Sequence, residues 1–522
     1  MKFTGQYYSL LEKFIPKSWE NLVEIEEEED EVLLEDYWIF KPFVYVQIVE
    51  SDGNVRYKIF EPNLTAEEYE LLEEIYSHLY DVLILRDLKI SVEEKAEILE
   101  NAFKEILEIL PYEIDEILFA KYNYYLFRDF LGFGPIDPLL NDKYIEDISC
   151  DGYNIPVYVF HRKYGHIPTD LVFTEAELDK YVQFLAQISG KHLSHGNPMI
   201  DATLPDGSRL QATYGTEITT RGSSFSIRKF TEKPLIPLDL IRLGTYSAEQ
   251  MAYFWLCIEH KLNVLVVGET AAGKTTTLNA ILMFLPPNVK VISIEDTREI
   301  VLYHENWIAE VTRESTTEDE KEISMYDLLK AALRQRPDYI VVGEVRGIEA
   351  QTLFQAMSTG HAAYATLHAG DIHQAIYRLE SEPLNVPRSM IQFLDVVAIQ
   401  TQWTREKTRL RRAKKMYEIL GIDPNDKNLL INEIYSWDPY SDSFVQVNPL
   451  KNLERIAIIR GEDVEDTFRE LTKRAEFLKY LMNKGIEDYK TFTSMIYAYY
   501  RYPEETFEVI YEEGKIRETI EA

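Results

Sequence analysis

The chain has 522 residues, more than one hydrophobic core organises, so two or three domains are expected and a single small module is excluded. With 46% hydrophobic and 28% charged residues, the composition excludes a disordered or fibrous chain. Fifty-five Lys and Arg against 89 Asp and Glu give a net charge of -34, which repels a phosphate backbone and speaks against nucleic acid as a partner, leaving room only for a local basic channel.

Cys150 and Cys257 are the only cysteines, too few for a disulfide framework or a four-cysteine zinc site, so two reduced core thiols are expected. The first twenty residues carry Glu12, Lys13 and Lys17 and lack the pattern of a signal peptide. No apolar run reaches the length of a membrane-spanning helix. The expectation is a cytoplasmic protein that meets a membrane only peripherally, through partners or the lipid surface.

In chain order, residues 1–121 read as a small acidic adaptor domain without visible chemistry. Its run of Glu24, Glu26, Glu27, Glu28, Glu29, Asp30 and Glu31 predicts a solvated segment. Behind it, strands are predicted at 38–50 and 57–61 and amphipathic helices at 66–80 and 92–110. Across 122–230, frequent Gly and Pro punctuate short strands such as 156–161, which predicts an α+β domain with a compact sheet. Pro234 and Pro237 mark a linker over 231–246 that can act as a hinge. From 247 to 522, apolar strands at 263–267, 289–294, 339–342, 362–367 and 395–400 alternate with helical stretches, as in a mostly parallel sheet covered on both faces. A helical stretch at 463–502 closes the domain.

The most specific signal is Gly268, Glu269, Thr270, Ala271, Ala272, Gly273, Lys274 and Thr275, which satisfies the P-loop pattern and is followed by Thr276. An apolar strand runs into it and a helix is predicted from Thr275 onward. Such a loop turns several backbone N–H groups and the positive end of a helix dipole toward a polyphosphate. Lys274 neutralises the β and γ phosphates and the Thr275 hydroxyl reaches Mg²⁺, so the pattern predicts binding of a nucleoside triphosphate.

Hydrolysis needs acidic groups at neighbouring strand ends. Glu295 and Asp296 end one apolar strand, with Glu299 one turn further on, and Glu344 follows a second at Gly343. In a parallel sheet both sets gather at the carboxyl edge, within reach of Mg²⁺ or the attacking water. His361 and His368 flank the strand between them and are expected to sense the γ-phosphate.

These motifs resemble those of the secretion ATPase superfamily that serves type II secretion, type IV pili, the archaellum and, more distantly, type IV secretion. Residues 268–275 look like its Walker A motif, 294–299 its aspartate box, 341–346 its Walker B motif and 360–368 its histidine box. The stretches at 134–140, 145–148, 204–209 and 221–229 resemble its N-terminal domain, and Arg209, Arg221 and Arg228 fall where such domains send arginines to the nucleotide. The archaeal pilus or secretion branch is the nearest match, with the archaellum motor next. Thr297 and Gly347 depart from the Pro and Asp of many bacterial members, and no four-cysteine metal module can form.

The resemblance implies an α/β fold, with a RecA-like P-loop motor domain over 247–522 preceded by an α+β, PAS-like nucleotide-clamping domain. It implies ATP and Mg²⁺ as cofactors, the latter held by Thr275 and Glu344, with Glu299 positioning the water. It further implies a homo-hexamer that hydrolyses ATP to drive pilus-like assembly or secretion through a polytopic membrane platform protein. The rival reading is a nucleic-acid translocase on the same core, against which the charge counts. The basic run Arg405, Lys407, Arg409, Arg411, Arg412, Lys414 and Lys415 reads either as a solvated hairpin or as a contact for anionic lipid or an acidic partner loop.

Overall fold

The computed structural model describes residues 6–17, 22–25, 30–82, 90–110, 112, 114–230, 234–313, 322–405 and 408–507. Glu26 to Glu29 of the acidic run, the start of the linker at 231–233 and Lys407 of the basic run lie outside them. The chain forms two compact units, Met1–Phe230 and Thr231–Ala522. Among the described residues no helix is long and apolar enough to cross a membrane. Cys150 and Cys257 are free and buried.

Among the described residues the first unit is built on nine strands: β1 (Val32–Phe40), β2 (Val44–Ser51), β3 (Asn54–Phe60), β4 (Ile145–Cys150), β5 (Pro156–His161), β6 (Gly165–Val172), β7 (Met199–Thr203), β8 (Arg209–Thr213) and β9 (Ser224–Arg228). They lie side by side in the order β1-β2-β3-β6-β5-β4-β9-β8-β7. The pairing of β3 with β6, at Tyr57 opposite Thr169, carries one sheet across residue 121, where the sequence reading separates an adaptor from the next domain. Burial follows the join: Val46, Ile48 and Tyr57 share a core with Ile148, Val159 and Ile227. The single strand expected at 38–50 is instead the end of β1, a turn and β2. Pro42 has no N–H to give to a ladder, and the Phe43 amide turns back to the Phe40 carbonyl at 2.8 Å.

The helix Val92–Ile109 starts at a capping box in which the Ser91 side chain accepts from the Glu94 amide. It buries Ala96, Leu99, Phe103 and Ile106, a spacing of three, four and three that makes one apolar stripe.

The second unit holds β10 (Val264–Gly268), β11 (Val291–Glu295), β12 (Trp307–Val311), β13 (Tyr339–Val342), β14 (Ala362–His368), β15 (Val396–Arg405), β16 (Thr408–Ile422), β17 (Leu429–Asp438) and β18 (Ser443–Gln446). Their order is β12-β11-β13-β14-β10-β15-β16-β17-β18. The first six in that row pair in parallel, and β15 to β18 continue as an antiparallel meander. Successive strand residues point to opposite faces. Val264 and Val266 join one core with Trp255 and Phe477, while Leu265 and Val267 join another with Leu353 and Leu379. The result is a mixed α/β, RecA-like three-layer core.

Strands β12, β17 and β18 go beyond the sequence reading, because their mixed polar and apolar residues give no sustained apolar run, and β16 enters it only through the hairpin offered as one reading of the basic run. The helical stretch expected at 463–502 is two helices, Val464–Asn483 and Tyr489–Arg501. Gly485, at a φ of +71°, provides the left-handed turn between them.

Candidate functional site

Strand β10 ends at Gly268 and the helix Lys274–Ile281 begins six residues later, so residues 269–273 are the loop between them. Parallel pairing brings the carboxyl ends of β10, β11, β13 and β14 to one edge of the sheet. The helix after β10 packs on one face and the helices after β13 and β14 pack on the other. The neighbours β10 and β14 therefore border the crevice where open α/β sheets collect ligands.

Within the loop Ala271 has a φ of +60° and Gly273 one of +89°. The left-handed backbone at Gly273 favours glycine, and a methyl group there would also press on the Arg411 Cδ atom at 3.2 Å. The Lys274 ammonium donates to the Glu269 carbonyl at 2.9 Å, and the Thr277 amide to the Gly273 carbonyl at 2.9 Å, opening the helix. Glu269 and Thr270 are exposed, Thr275 and Thr276 half-buried and Ala272 buried.

His368, opposite Gly268 in the ladder, embraces the loop: Nδ1 lies 3.0 Å from the Gly268 carbonyl and Nε2 lies 3.1 Å from the Thr270 hydroxyl. His361 is not brought there. It precedes the first residue of β14, and seven extended residues place the two histidines about 20 Å apart, at opposite edges of the sheet. The expectation that both sense one phosphate therefore does not hold within a chain, because a strand keeps its ends apart.

The acidic residues divide by environment. Glu295 is 2% exposed. Its Oε1 accepts from the Glu299 and Ile300 amides at 2.9 and 3.0 Å, while Oε2 is buried without a partner. Burial pushes its pKa up to about 7 against those two hydrogen bonds. Glu295 thus shapes the turn that carries Glu299. From the helix Lys274–Ile281 Asn279 closes the same turn, donating to the Glu299 carbonyl at 3.3 Å and accepting from the Val301 amide at 3.2 Å.

Exposed Asp296 and half-buried Glu344 are linked by Arg346, whose guanidinium donates to Glu344 at 2.6 Å and lies 3.7 Å from Asp296. Glu349 accepts from the Arg346 and Gly347 amides, both at 2.7 Å, and so sets the turn after Glu344. Among the described residues no cluster of three or more His, Cys, Asp or Glu forms a protein cage for a metal. The oxygens of Thr275, Asp296 and Glu344 are hard donors of the kind that hold a divalent cation jointly with phosphates and water, so they fit Mg²⁺.

In the first unit Arg209 and Arg228 lie opposite each other on β8 and β9, a like-charge pair offset by acidic neighbours. Arg209 binds Asp201 through two hydrogen bonds of 3.1 and 2.9 Å, and Arg228 lies 3.6 Å from Asp147. Arg221 is exposed in the β8–β9 loop, and its carbonyl accepts from the Tyr153 amide at 3.3 Å.

The sequence reading missed Asn279, Glu349 and Gln400 altogether. Gln400 ends the apolar run of β15, and an amide there is the one cue it offered. It is 1% exposed and donates to the Thr277 hydroxyl at 2.7 Å. The basic run is not uniformly solvated. Arg412 is buried and binds Asp442 at 2.7 and 2.8 Å, Lys415 pairs with Glu433 at 2.8 Å, and Arg411 turns to the loop.

A family model described as type II/IV secretion system protein matches residues 134–428, and one described as PilB3-like, C-terminal matches 441–518. An uncharacterized protein of Methanocaldococcus jannaschii is 37% identical over 473 residues, covering 86% of this chain and 86% of its own length. A second from that organism is 46% identical over 267 residues, 51% of this chain and 98% of its own. The X-ray structure of the Legionella pneumophila ATPase DotB aligns at 17% identity with a TM-score of 0.39, covering 72% of this chain and 93% of that one. With one family model spanning 134–428 of 522 residues and a relative matched over most of both lengths, the chain belongs to the type II/IV secretion system protein family.

Proposed function

We propose that this chain is an ATP-hydrolysing motor that works as a homo-hexamer and powers type IV pilus-like assembly or protein secretion through a polytopic membrane platform protein. The single observation that carries the reading is the P-loop, embraced by His368, at the same sheet edge as Glu295, Asp296, Glu299 and Glu344. Family membership supports the secretion role.

In this reading residues 268–276 grip the triphosphate, with Lys274 releasing the Glu269 carbonyl to neutralise the β and γ phosphates. Thr275 and Glu344 would hold Mg²⁺, which when bound draws charge from the phosphate oxygens. Glu299, held by Glu295 and Asn279, orients the attacking water, and His368 reports on the loop. Arg209, Arg221 and Arg228 supply guanidinium groups to the charge that develops in transfer. Residues 122–230 clamp on nucleotide, 231–238 flex, and hydrolysis releases the clamp, so the work comes from differential contacts in the two nucleotide states. The protein acts in the cytoplasm, peripherally against the membrane.

The test is steady-state phosphate release together with nucleotide binding. Lys274→Ala is expected to abolish turnover, and Glu344→Gln to keep binding while hydrolysis falls by about a hundredfold or more. Normal turnover in both variants contradicts the reading. Light scattering with a non-hydrolysable analogue checks the hexamer.

A further inference from the structure

The strand pair β15–β16 is moulded against the phosphate loop at three points. The Gln400 carbonyl lies 2.9 Å from where a methyl group on Gly268 would sit, and the Arg411 Cδ lies 3.2 Å from where one on Gly273 would sit. Between these, the Arg411 Nε donates to the Ala271 carbonyl at 3.0 Å. The register explains the reach. Gln400 is level with Gly268, and β15 runs on to Arg405 beyond that level before β16 returns, placing Arg411 opposite Gln402 and past the end of β10.

We propose that Arg411 is a positioning residue of the phosphate loop: its guanidinium anchors the Ala271 carbonyl, so that the loop amides stay turned toward the phosphates. The proposal rests on reading residues 268–275 as a nucleotide site. Ala271 has a side chain in the left-handed region, a conformation that persists only where its surroundings hold it. A charged donor on its carbonyl supplies such a hold from outside the loop. Arg411 acts through the backbone of the loop and is assigned no contact with the nucleotide. Its loss should therefore weaken nucleotide binding more than the chemical step. Lysine keeps the charge and can reach a single carbonyl, so it should restore most of the effect.

The experiment compares the full-length wild type with Arg411→Met and Arg411→Lys. It measures calorimetric titration with the magnesium complex of a non-hydrolysable ATP analogue, KM and kcat for ATP, and melting without nucleotide. Arg411→Met is expected to raise Kd and KM about tenfold, equivalent to about 1.4 kcal/mol, with kcat changed less than about twofold. Arg411→Lys should return both to within about threefold of wild type, and the melting temperatures of the three proteins should agree. Wild-type binding with an unchanged Kd in Arg411→Met overturns the inference alone, as does a fall in kcat at constant Kd. Weak binding accompanied by a lowered melting point in both variants assigns Arg411 a merely structural role and also overturns it. If the wild type shows no heat with nucleotide, the site reading falls and the inference with it.

Discussion

Glu295 is a carboxylate buried beneath the turn it stabilises, and its chemistry is visible in pH. Its folded-state pKa is pushed up to about 7 by burial, against an ordinary value of 4.5. The folded protein therefore binds the proton more tightly than the unfolded chain does. The resulting stability is fully present below pH 4.5 and is lost as pH rises through about 7, on the order of 3 kcal/mol in total. Glu295→Gln keeps an acceptor for the Glu299 and Ile300 amides and removes the titration. In urea unfolding between pH 4.5 and 8, wild-type stability relative to the variant should fall with rising pH; parallel stability curves would contradict the environment assigned to Glu295. The same residue separates two roles that the sequence presented together: Glu295 shapes the turn, and Glu299 is what the turn presents.

At the scale of elements, one buried side chain gathers several of the ties between the antiparallel meander and the rest of the second unit. Glu418 on β16 is 0% exposed. It accepts from the Tyr253 hydroxyl at 2.7 Å, from the Asn432 side chain at 2.9 Å, and from the Lys451 and Asn452 amides at 2.9 Å each. Those two amides open the helix Lys451–Arg460, where a negative charge also meets the positive end of the helix dipole. Glu418→Ala leaves the buried Tyr253 hydroxyl and Asn452 amide and the half-buried Lys451 amide without this acceptor, while the Asn432 side chain keeps the Pro449 carbonyl. It should destabilise the second unit by about 3 kcal/mol, measured by denaturant unfolding, and a loss below about 1 kcal/mol would show that the elements dock without it. The strands around it were not legible in the sequence, since β17 and β18 draw their stability from cross-strand partners and not from a run of apolar residues. The parallel strands other than the edge strand β12 were legible, because strands covered on both faces must be apolar throughout.

For the whole molecule, two compact units with separate cores predict two calorimetric unfolding transitions. The phosphate loop belongs to the second unit, so the magnesium complex of a non-hydrolysable ATP analogue should raise that transition first. At a free ligand concentration a hundred times Kd the gain is about 2.7 kcal/mol. Lys274→Ala should remove the shift. A single transition that ignores nucleotide would contradict both the division and the site. The sheet that joins β3 to β6 makes residues 32–60 part of the first unit, and no composition change announces this, since the pairing links segments more than a hundred residues apart.

By itself the sequence determined what is contiguous in the chain. The strand, glycine-rich loop and helix at 263–281, the acidic strand ends and the caps of the helices depend on neighbours a few residues away, and local backbone chemistry specifies them. Only the tertiary structure decided which distant groups serve that loop. It brought His368 to the loop and left His361 at the far edge, turned Glu295 inward beneath Glu299, and delivered Gln400 and Arg411 from the returning hairpin. Pairing register and burial assign those places, and both are properties of strands that meet in space after long stretches of intervening chain.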